Sequence, residues 1–491
     1  MLKKSFALLL CTLIICLSVT AQIKLNVDWT KQLRVSQSTP TLQVVVNPML
    51  RRGSPIHKQS FEALKNLQAD YVRYVPWLPY PRLGVAELEP PTATSTSWDF
   101  KEIDPMIIDF FEAQKGHSSI INFSTIPQWM WKTDYKVTYP ANPDEVVWNY
   151  TQGNTPRDTT WKEIANYYAR LFSWYTKGGF TDELGKKHTS GHQFDIPYWE
   201  VMNEPDLEHN PTPEQYTKEY DAIVTAIRKI APKTKFVGIS VAFETNPHWF
   251  EYFLNPKNHK PGIPLDYISY HFYATSSRGQ TLNDMQYTYF ERANGFLNMV
   301  RYIENIRKRY TPSTKTMINE VGSILHNEEE YIPELYWNLS SALYAYLYIE
   351  LTKIGIEVIG ESQLVGYPSQ FPSVSMMNWK NGKPNSRFWT LKLLKENFGP
   401  GDVLLPSFAE NDSTASLTVQ GFKTKTGNKI LVINRHNKNV SFTVPEAFAG
   451  GKITIVDGES GDNEPVTSIV NSTVIELKPF AVAVLFLPGL R

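Results

Sequence analysis

Cysteine is nearly absent from this sequence. It has 2, Cys11 and Cys16, and both fall inside an apolar leading stretch. With that stretch removed none would remain, which excludes disulfides and thiol catalysis. Charge of one sign is lacking too, because Lys+Arg and Asp+Glu both number 49. A balanced surface argues against nucleic acid or an anionic membrane as main partner, since both need a basic face. Beyond the leading stretch no apolar run is long enough for a membrane helix. No G-x-G-x-x-G and no G-x-x-x-x-G-K-[ST] occurs, so a nucleotide-binding fold lacks its usual support. No G-x-S-x-G occurs either, which leaves a serine hydrolase of the nucleophile-elbow type unsupported. There is no internal repeat and no low-complexity tract.

The leading stretch itself reads as an export signal. Lys3 and Lys4 supply positive charge, Phe6 to Leu17 is apolar apart from Thr12, and Val19-Thr20-Ala21 supplies small residues. Cleavage after Ala21 would make residues 1–21 a signal peptide and send the protein to the periplasm or beyond. Leu10 and Ile15 precede the two cysteines where a small residue would be needed, which argues against a lipid anchor.

The 491 residues are too many for one ordinary core. From residue 42 to 399 strand-like and helix-like segments alternate. Leu42–Asn47, Tyr71–Val75, Ser118–Phe123, Tyr198–Met202, Phe236–Ser240, Tyr267–Tyr270, Lys315–Ile318 and Val358–Ile359 read as strands, with Ser375–Met377 as a further strand-like piece. Helical periodicity fills the gaps, as in Phe61, Leu64 and Leu67, or Tyr216, Tyr220, Ile223 and Ile227. Alternation of this kind predicts a parallel sheet with helical crossovers, and eight units predict a (β/α)8 TIM barrel. Periodicity alone leaves a doubly wound sheet open. From residue 400 to 491 short alternating runs separated by turns predict an all-β sandwich. The segment 22–41 is expected to lend it a strand.

Two predicted strands end in glutamates with unusual surroundings: Trp199-Glu200-Val201-Met202-Asn203-Glu204-Pro205 and Met317-Ile318-Asn319-Glu320-Val321-Gly322. Residues at the C-terminal ends of barrel strands face the active site. Glu204 and Glu320 lie 116 residues apart, or three barrel units of about 39 residues, which puts them on strands four and seven. Cleavage of a glycosidic bond needs such a pair. One carboxyl stays protonated to help the leaving oxygen depart, and the other is ionised to attack the anomeric carbon. A gap of about 5–5.5 Å between them would mean retention of configuration through a covalent intermediate.

Asn203-Glu204-Pro205 after an aromatic-rich strand, with the later strand-end Glu320, resembles the clan A glycoside hydrolases. Within that clan the chain looks most like family 39, which holds β-xylosidases and α-L-iduronidases. The resemblance implies that Glu204 is the acid/base, Glu320 the nucleophile of a double displacement, and Asn203 a partner of the sugar 2-hydroxyl. It further implies that Arg73 holds the nucleophile ionised, that Tyr273 hydrogen-bonds it, and that Trp379, after strand eight, lies under the bound sugar. The substrate implied is an oligo- or polysaccharide, with exo action on β-xyloside-like linkages as the leading reading. An endo-acting glycanase of the same clan and a catalytically inactive carbohydrate binder are the alternatives. No cofactor is expected, since two carboxylates and water suffice.

Other residues carry plainer readings beside the functional ones. Glu200 shares a face with Glu204 but lies roughly 13 Å deeper along the strand, away from the barrel mouth. His271 suits either a scaffold role or a sugar contact. Trp77, Trp129 and Trp131, on loops after strands two and three, suit either subsite walls or packing. The aromatic content, 13% with 13 Trp, fits both. His188 and His192 are four apart, yet a turn-like Thr189-Ser190-Gly191 lies between them and no further ligand follows at metal spacing, so no metal is expected.

Overall fold

A computed structural model describes residues 22–148, 150, 153–326, 331–368 and 371–488. The expected export signal lies outside the described residues. Eight parallel strands close into a barrel: β1 (Thr39–Val45), β2 (Val72–Val75), β3 (Ser119–Ile121), β4 (Tyr198–Glu200), β5 (Lys235–Val241), β6 (Tyr267–Thr275), β7 (Lys315–Ile324) and β8 (Val358–Glu361). Each is followed by a helix: α1 (His57–Leu67), α2 (Asp104–Ala113), α3 (Lys162–Thr176), α4 (Pro213–Ile230), α5 (Pro247–Phe253), α6 (Leu282–Tyr310), α7 (Tyr336–Ile354) and α8 (Ser386–Asn397). The expected barrel is the observed one.

The helices form where apolar residues repeat at helical spacing. In α4, Thr212 caps the N-terminus in a reciprocal bond with Gln215, and Tyr216, Tyr220, Ile223 and Ile227 are buried against the sheet. Strands buried on both faces read as nearly continuous apolar runs, as in β1, where Pro40 through Val45 are buried.

The C-terminal region forms an antiparallel sheet of 7 strands and a mixed sheet of 4, in which only Ile23–Val27 and Val440–Thr443 run parallel. Ile23–Val27 pairs with Ser407–Glu410 and Val440–Thr443. Arg34–Val35 pairs with Val403–Leu405. One apolar core lies between the two sheets, around Leu25, Ile430, Phe442 and Leu485. A second runs through the barrel and continues into Phe422, Val456 and Phe480 of the C-terminal region. Phe398, just after α8, packs on Phe422 at 4.3 Å. Among the described residues no helix is long and apolar enough to cross a membrane.

Several elements differ from expectation. Ser375–Met377 is not a strand: it follows the turn Pro372–Val374, and only Met377 pairs, in one bridge to Pro384. Met376 bonds the Gln363 carbonyl through its N–H and accepts from Asn385 N, isolated backbone bonds that do not extend into a ladder, and Ser375 Oγ bonds Gly366 N and Met377 O. The strand expected over Tyr267–Tyr270 runs on to Thr275, because β6 stays paired with β7 out to Ile324. Helix α6 begins at Leu282 on a capping box of Thr281 and Asp284. Gly179–Thr181 and Lys187–Thr189 form a hairpin before β4, and α5 escaped periodicity because it has only 7 residues.

Candidate active site

Glu204 and Glu320 reach the same cavity at the C-terminal end of the barrel, a space of about 690 Å³. They come from β4 and β7. At the ends of β4 and its neighbour β5 the backbone leaves ordinary strand geometry. Met202 and Glu204 have φ of 64° and 40°, and Ile239 and Ser240 on the neighbouring β5 have 74° and 50°. Non-glycine residues in this region are strained by about 1–3 kcal/mol each, and such strain gathers where a side chain must be aimed. Glu204 is anchored by its own N–H to the Ser240 carbonyl at 2.9 Å.

Beneath the cavity sits Arg73 of β2, wholly buried. Its Nε donates to Glu200. Nη1 donates to Gln43 and to Glu320 Oε2, both at 2.8 Å. Nη2 donates to Asn203 Oδ1 at 2.6 Å and Ser240 Oγ at 3.2 Å. A guanidinium has five N–H donors, and here five acceptors surround it. Glu200 also accepts from Ser269 at 2.6 Å and from Asn122 and Asn319 at 2.7 Å. Burial alone would raise its pKa, but the Arg73 charge and these bonds hold it below the ordinary value.

Tyr273 Oη of β6 lies 2.6 Å from both Glu320 Oε1 and Ser362 Oγ. Its one proton belongs with the carboxylate, the stronger acceptor. His271, also on β6, places Nδ1 2.9 Å from Glu204 Oε1 and 3.5 Å from Glu320 Oε2. Burial opposes charge on this ring, yet the two carboxylates outweigh it and raise its pKa. Glu204 is pushed up by burial and by the charge of Glu320. Both glutamates are largely stripped of water, at 8% and 9% exposed, yet both line the cavity.

The structure therefore brings together Glu204, Glu320, Arg73, Asn203, His271, Tyr273 and Trp77. Trp77 Nε1 donates to Glu208 at 2.8 Å, and its ring packs near Trp148 and Phe371 in an aromatic wall. Two expected residues lie elsewhere. Trp129 turns away to donate to the Glu87 carbonyl at 2.9 Å and stacks under Arg157. It lines a separate hollow with Gln128 and Tyr135. Trp379 sits in the turn between Met377 and Pro384, packed on the barrel core and not on the cavity. The chain after β8 enters the cavity earlier, through Ser362 and Gln363. Trp131 is packed against Trp161 and His209.

Residues the sequence reading passed over include Gln43, Ser240, Ser362 and Glu208. Glu208 Oε1 accepts from Asn203 Nδ2 at 2.7 Å, and burial with the neighbouring Glu204 charge raises it well above the usual carboxylate range. Its signal was position: four residues after Glu204 on the short helix Pro205–Glu208, one turn on.

Glu204, His271 and Glu320 could each offer one ligand atom to a metal ion, all within 4.8 Å of one another. The Arg73 cation against Glu320 weighs electrostatically against a further cation there. His188 and His192 do not converge, since they bond Asp182 and Asp104 respectively.

Among solved structures, AbfB, a family 51 α-L-arabinofuranosidase from Bifidobacterium longum, is 12% identical, with a TM-score of 0.63 over 95% of this chain and 99% of its own. A glucosidase from Croceicoccus marinus is 13% identical, with a TM-score of 0.61 over 95% and 98%. A GH30 endoxylanase from Clostridium papyrosolvens C71 is 12% identical, at 0.56 over 95% and 99%. These likenesses show a shared fold. A comparison with curated proteins finds no match. The family model described as Glycosyl hydrolases family 39 matches residues 21–323, more than half the chain and both strand-end glutamates. The chain thus belongs to glycosyl hydrolases family 39 and is an O-glycoside hydrolase.

Proposed function

We propose that Glu204 is the acid/base and Glu320 the nucleophile of an exo-acting glycosidase that retains anomeric configuration. The observation that carries this is their approach, with a carboxylate oxygen of one within 4.8 Å of an oxygen of the other. Double displacement uses carboxyls about 5–5.5 Å apart, whereas inversion leaves about 6.5–9.5 Å for a water. In the first step Glu320 attacks the anomeric carbon while Glu204 gives its proton to the departing oxygen. In the second, Glu204 takes a proton from water, and the water oxygen displaces Glu320.

The surrounding groups have matching tasks. Arg73 and Tyr273 stabilise negative charge on Glu320 and fix its direction. His271 aims Glu204. Asn203 holds Arg73 with its oxygen and Glu208 with one amide proton, leaving the second proton for a sugar hydroxyl. Trp77, Trp148 and Phe371 wall the mouth on the side of β2 and β8, and a wall there favours a chain end over a continuous polymer. The β-xyloside-like substrate rests on the family resemblance. Export to the periplasm or beyond rests on the leading sequence.

A panel of aryl glycosides identifies the sugar. A 2-deoxy-2-fluoro analogue of the preferred one should then add its mass to the peptide that carries Glu320. Label on another residue, or hydrolysis that survives E320Q, would overturn the assignment. Release of monosaccharide alone from an oligosaccharide would support exo action; a ladder of oligomers would favour the endo-acting reading.

A further inference from the structure

The cavity has two unlike halves. Toward β1, β2 and β8 it is lined by Gln43, Trp77, Ser362 and Gln363, groups that can bond sugar hydroxyls, set among Val45, Val75, Phe371 and Val374. Past the carboxylates, toward β5, β6 and α6, the lining is mainly Leu207, Phe243, Phe272, Phe296, Met299 and Ile324, with Glu244, Thr245, Thr275 and Arg292 among them. Strand alternation produces the change. His271 and Tyr273 point into the barrel with the carboxylates, and Phe272 between them points outward to stack on Phe296 of α6 at 4.5 Å. The cavity thus runs over the end of β6 into a groove against α6.

On α6 the facing residues are Arg292, Gly295, Phe296 and Met299, spaced as one stripe of a helix. Gly295 sits in mid-helix, where glycine costs about 0.5–1 kcal/mol relative to alanine. A Cβ there would meet nothing within 4 Å, so the missing side chain keeps the groove open. Leu207 and Phe243, 55% and 56% exposed, carry apolar surface out to its rim. Leu207 and the segment 242–245 flank Glu204, the group placed to protonate the departing oxygen.

We propose that this groove is the leaving-group subsite and takes an aryl or alkyl aglycone in place of a second sugar ring. The inference rests on the reading of Glu204 and Glu320 given above. A sugar ring here would turn hydroxyls onto Phe272, Phe296 and Met299, which offer them no partner, while Arg292 Nη1 already donates to Thr275 Oγ1 at 2.7 Å. An apolar aglycone needs none. The Glu204 proton passes to the glycosidic oxygen, the bond from that oxygen to the anomeric carbon breaks, and the aglycone leaves as a neutral alcohol or phenol. Glu320 forms the new bond to the same carbon.

The test compares methyl, n-octyl and disaccharide glycosides of the sugar that the aryl panel identifies. Wild type should favour n-octyl over methyl by about tenfold or more in kcat/KM, and over the disaccharide likewise. Gly295→Leu fills the groove with a good helix former and should collapse the octyl-to-methyl ratio toward one. Asn298→Leu, on the exposed side of α6, should leave the ratio as in wild type. No octyl preference in wild type, a ratio unmoved by Gly295→Leu, or a preference for the disaccharide would each overturn the inference. Direct titration with 4-phenylphenol separates it from the catalytic reading. Binding to wild type that weakens in Gly295→Leu supports the apolar subsite even if no glycoside is cleaved, in which case the catalytic reading alone fails. Absence of binding to wild type overturns the subsite.

Discussion

Arg73 and Glu200 form an ion pair with no exposed side-chain surface on either partner, and the same guanidinium holds Glu320 at 2.8 Å. The pair is the floor on which the site stands. Removing Arg73 leaves two buried carboxylates facing each other without a cation. Arg73→Met should destabilise the protein by about 3–5 kcal/mol, the usual result of stranding a buried charge. Adding Glu200→Gln removes part of that stranded charge, so the double variant should lose less than the two single losses summed. Chemical denaturation of the four proteins measures the coupling, and simple additivity would show that the pair acts independently.

Tyr273→Phe removes the hydroxyl from Glu320 Oε1 and keeps the ring. A hydrogen bond to a charged group contributes about 1.5–3 kcal/mol, so kcat should fall by roughly 10–100-fold with little change in thermal stability. An unchanged kcat would mean that Arg73 alone holds the nucleophile.

Much of this site was legible because barrel geometry turns sequence position into spatial position. Glu204 and Glu320 each sit at a strand end, and the fold collects strand ends; Arg73 and Tyr273 were expected from the family resemblance instead. Trp129 and Trp379 were not legible, because they ride on connections after the strands, and nothing local dictates which way a loop tryptophan turns. Gln43 and Ser362 carried no signal of their own; only the closure of β1 onto β8 makes them neighbours, joined by a 2.6 Å bond. The apolar groove was hidden because its stripe on α6 looks like ordinary core periodicity.

That contrast yields a pair of substitutions. Trp77→Phe removes the indole N–H from Glu208 and thins the mouth, and should raise KM several-fold. Trp129→Phe, in its separate hollow, should leave KM as in wild type. The reverse pattern on the preferred aryl glycoside would place the sugar in the other hollow.

Glu204 has its pKa raised by burial and by the charge of Glu320. A general acid works only while protonated, so a raised pKa extends activity upward, and kcat/KM should fall as pH rises through it. In Glu204→Gln that basic limb should vanish. The loss in kcat should be about 10²–10⁴-fold for an alkyl leaving group and smaller for p-nitrophenyl, which departs without help. Persistence of the basic limb in the variant would assign it to another group, with His271 the nearest candidate.

Away from the cavity, Glu219 of α4 is 1% exposed, and its Oε1 makes no hydrogen bond. Burial alone lifts its pKa to about 8, against an ordinary 4.5. Below pH 4.5 the group is protonated whether the chain is folded or not, and it does not distinguish the states. Between 4.5 and 8 the unfolded chain releases the proton and the folded protein keeps it, so stability falls as pH rises through this window. Glutamine mimics the protonated form and does not ionise. Glu219→Gln should therefore change little at pH 4.5 and stabilise increasingly toward pH 8, with a ceiling of about 5 kcal/mol at 1.36 kcal/mol per unit. Melting temperatures of the two proteins should diverge from pH 5 to 8 and run parallel above it. Parallel curves across the whole range would mean that water or a neighbour satisfies the carboxylate.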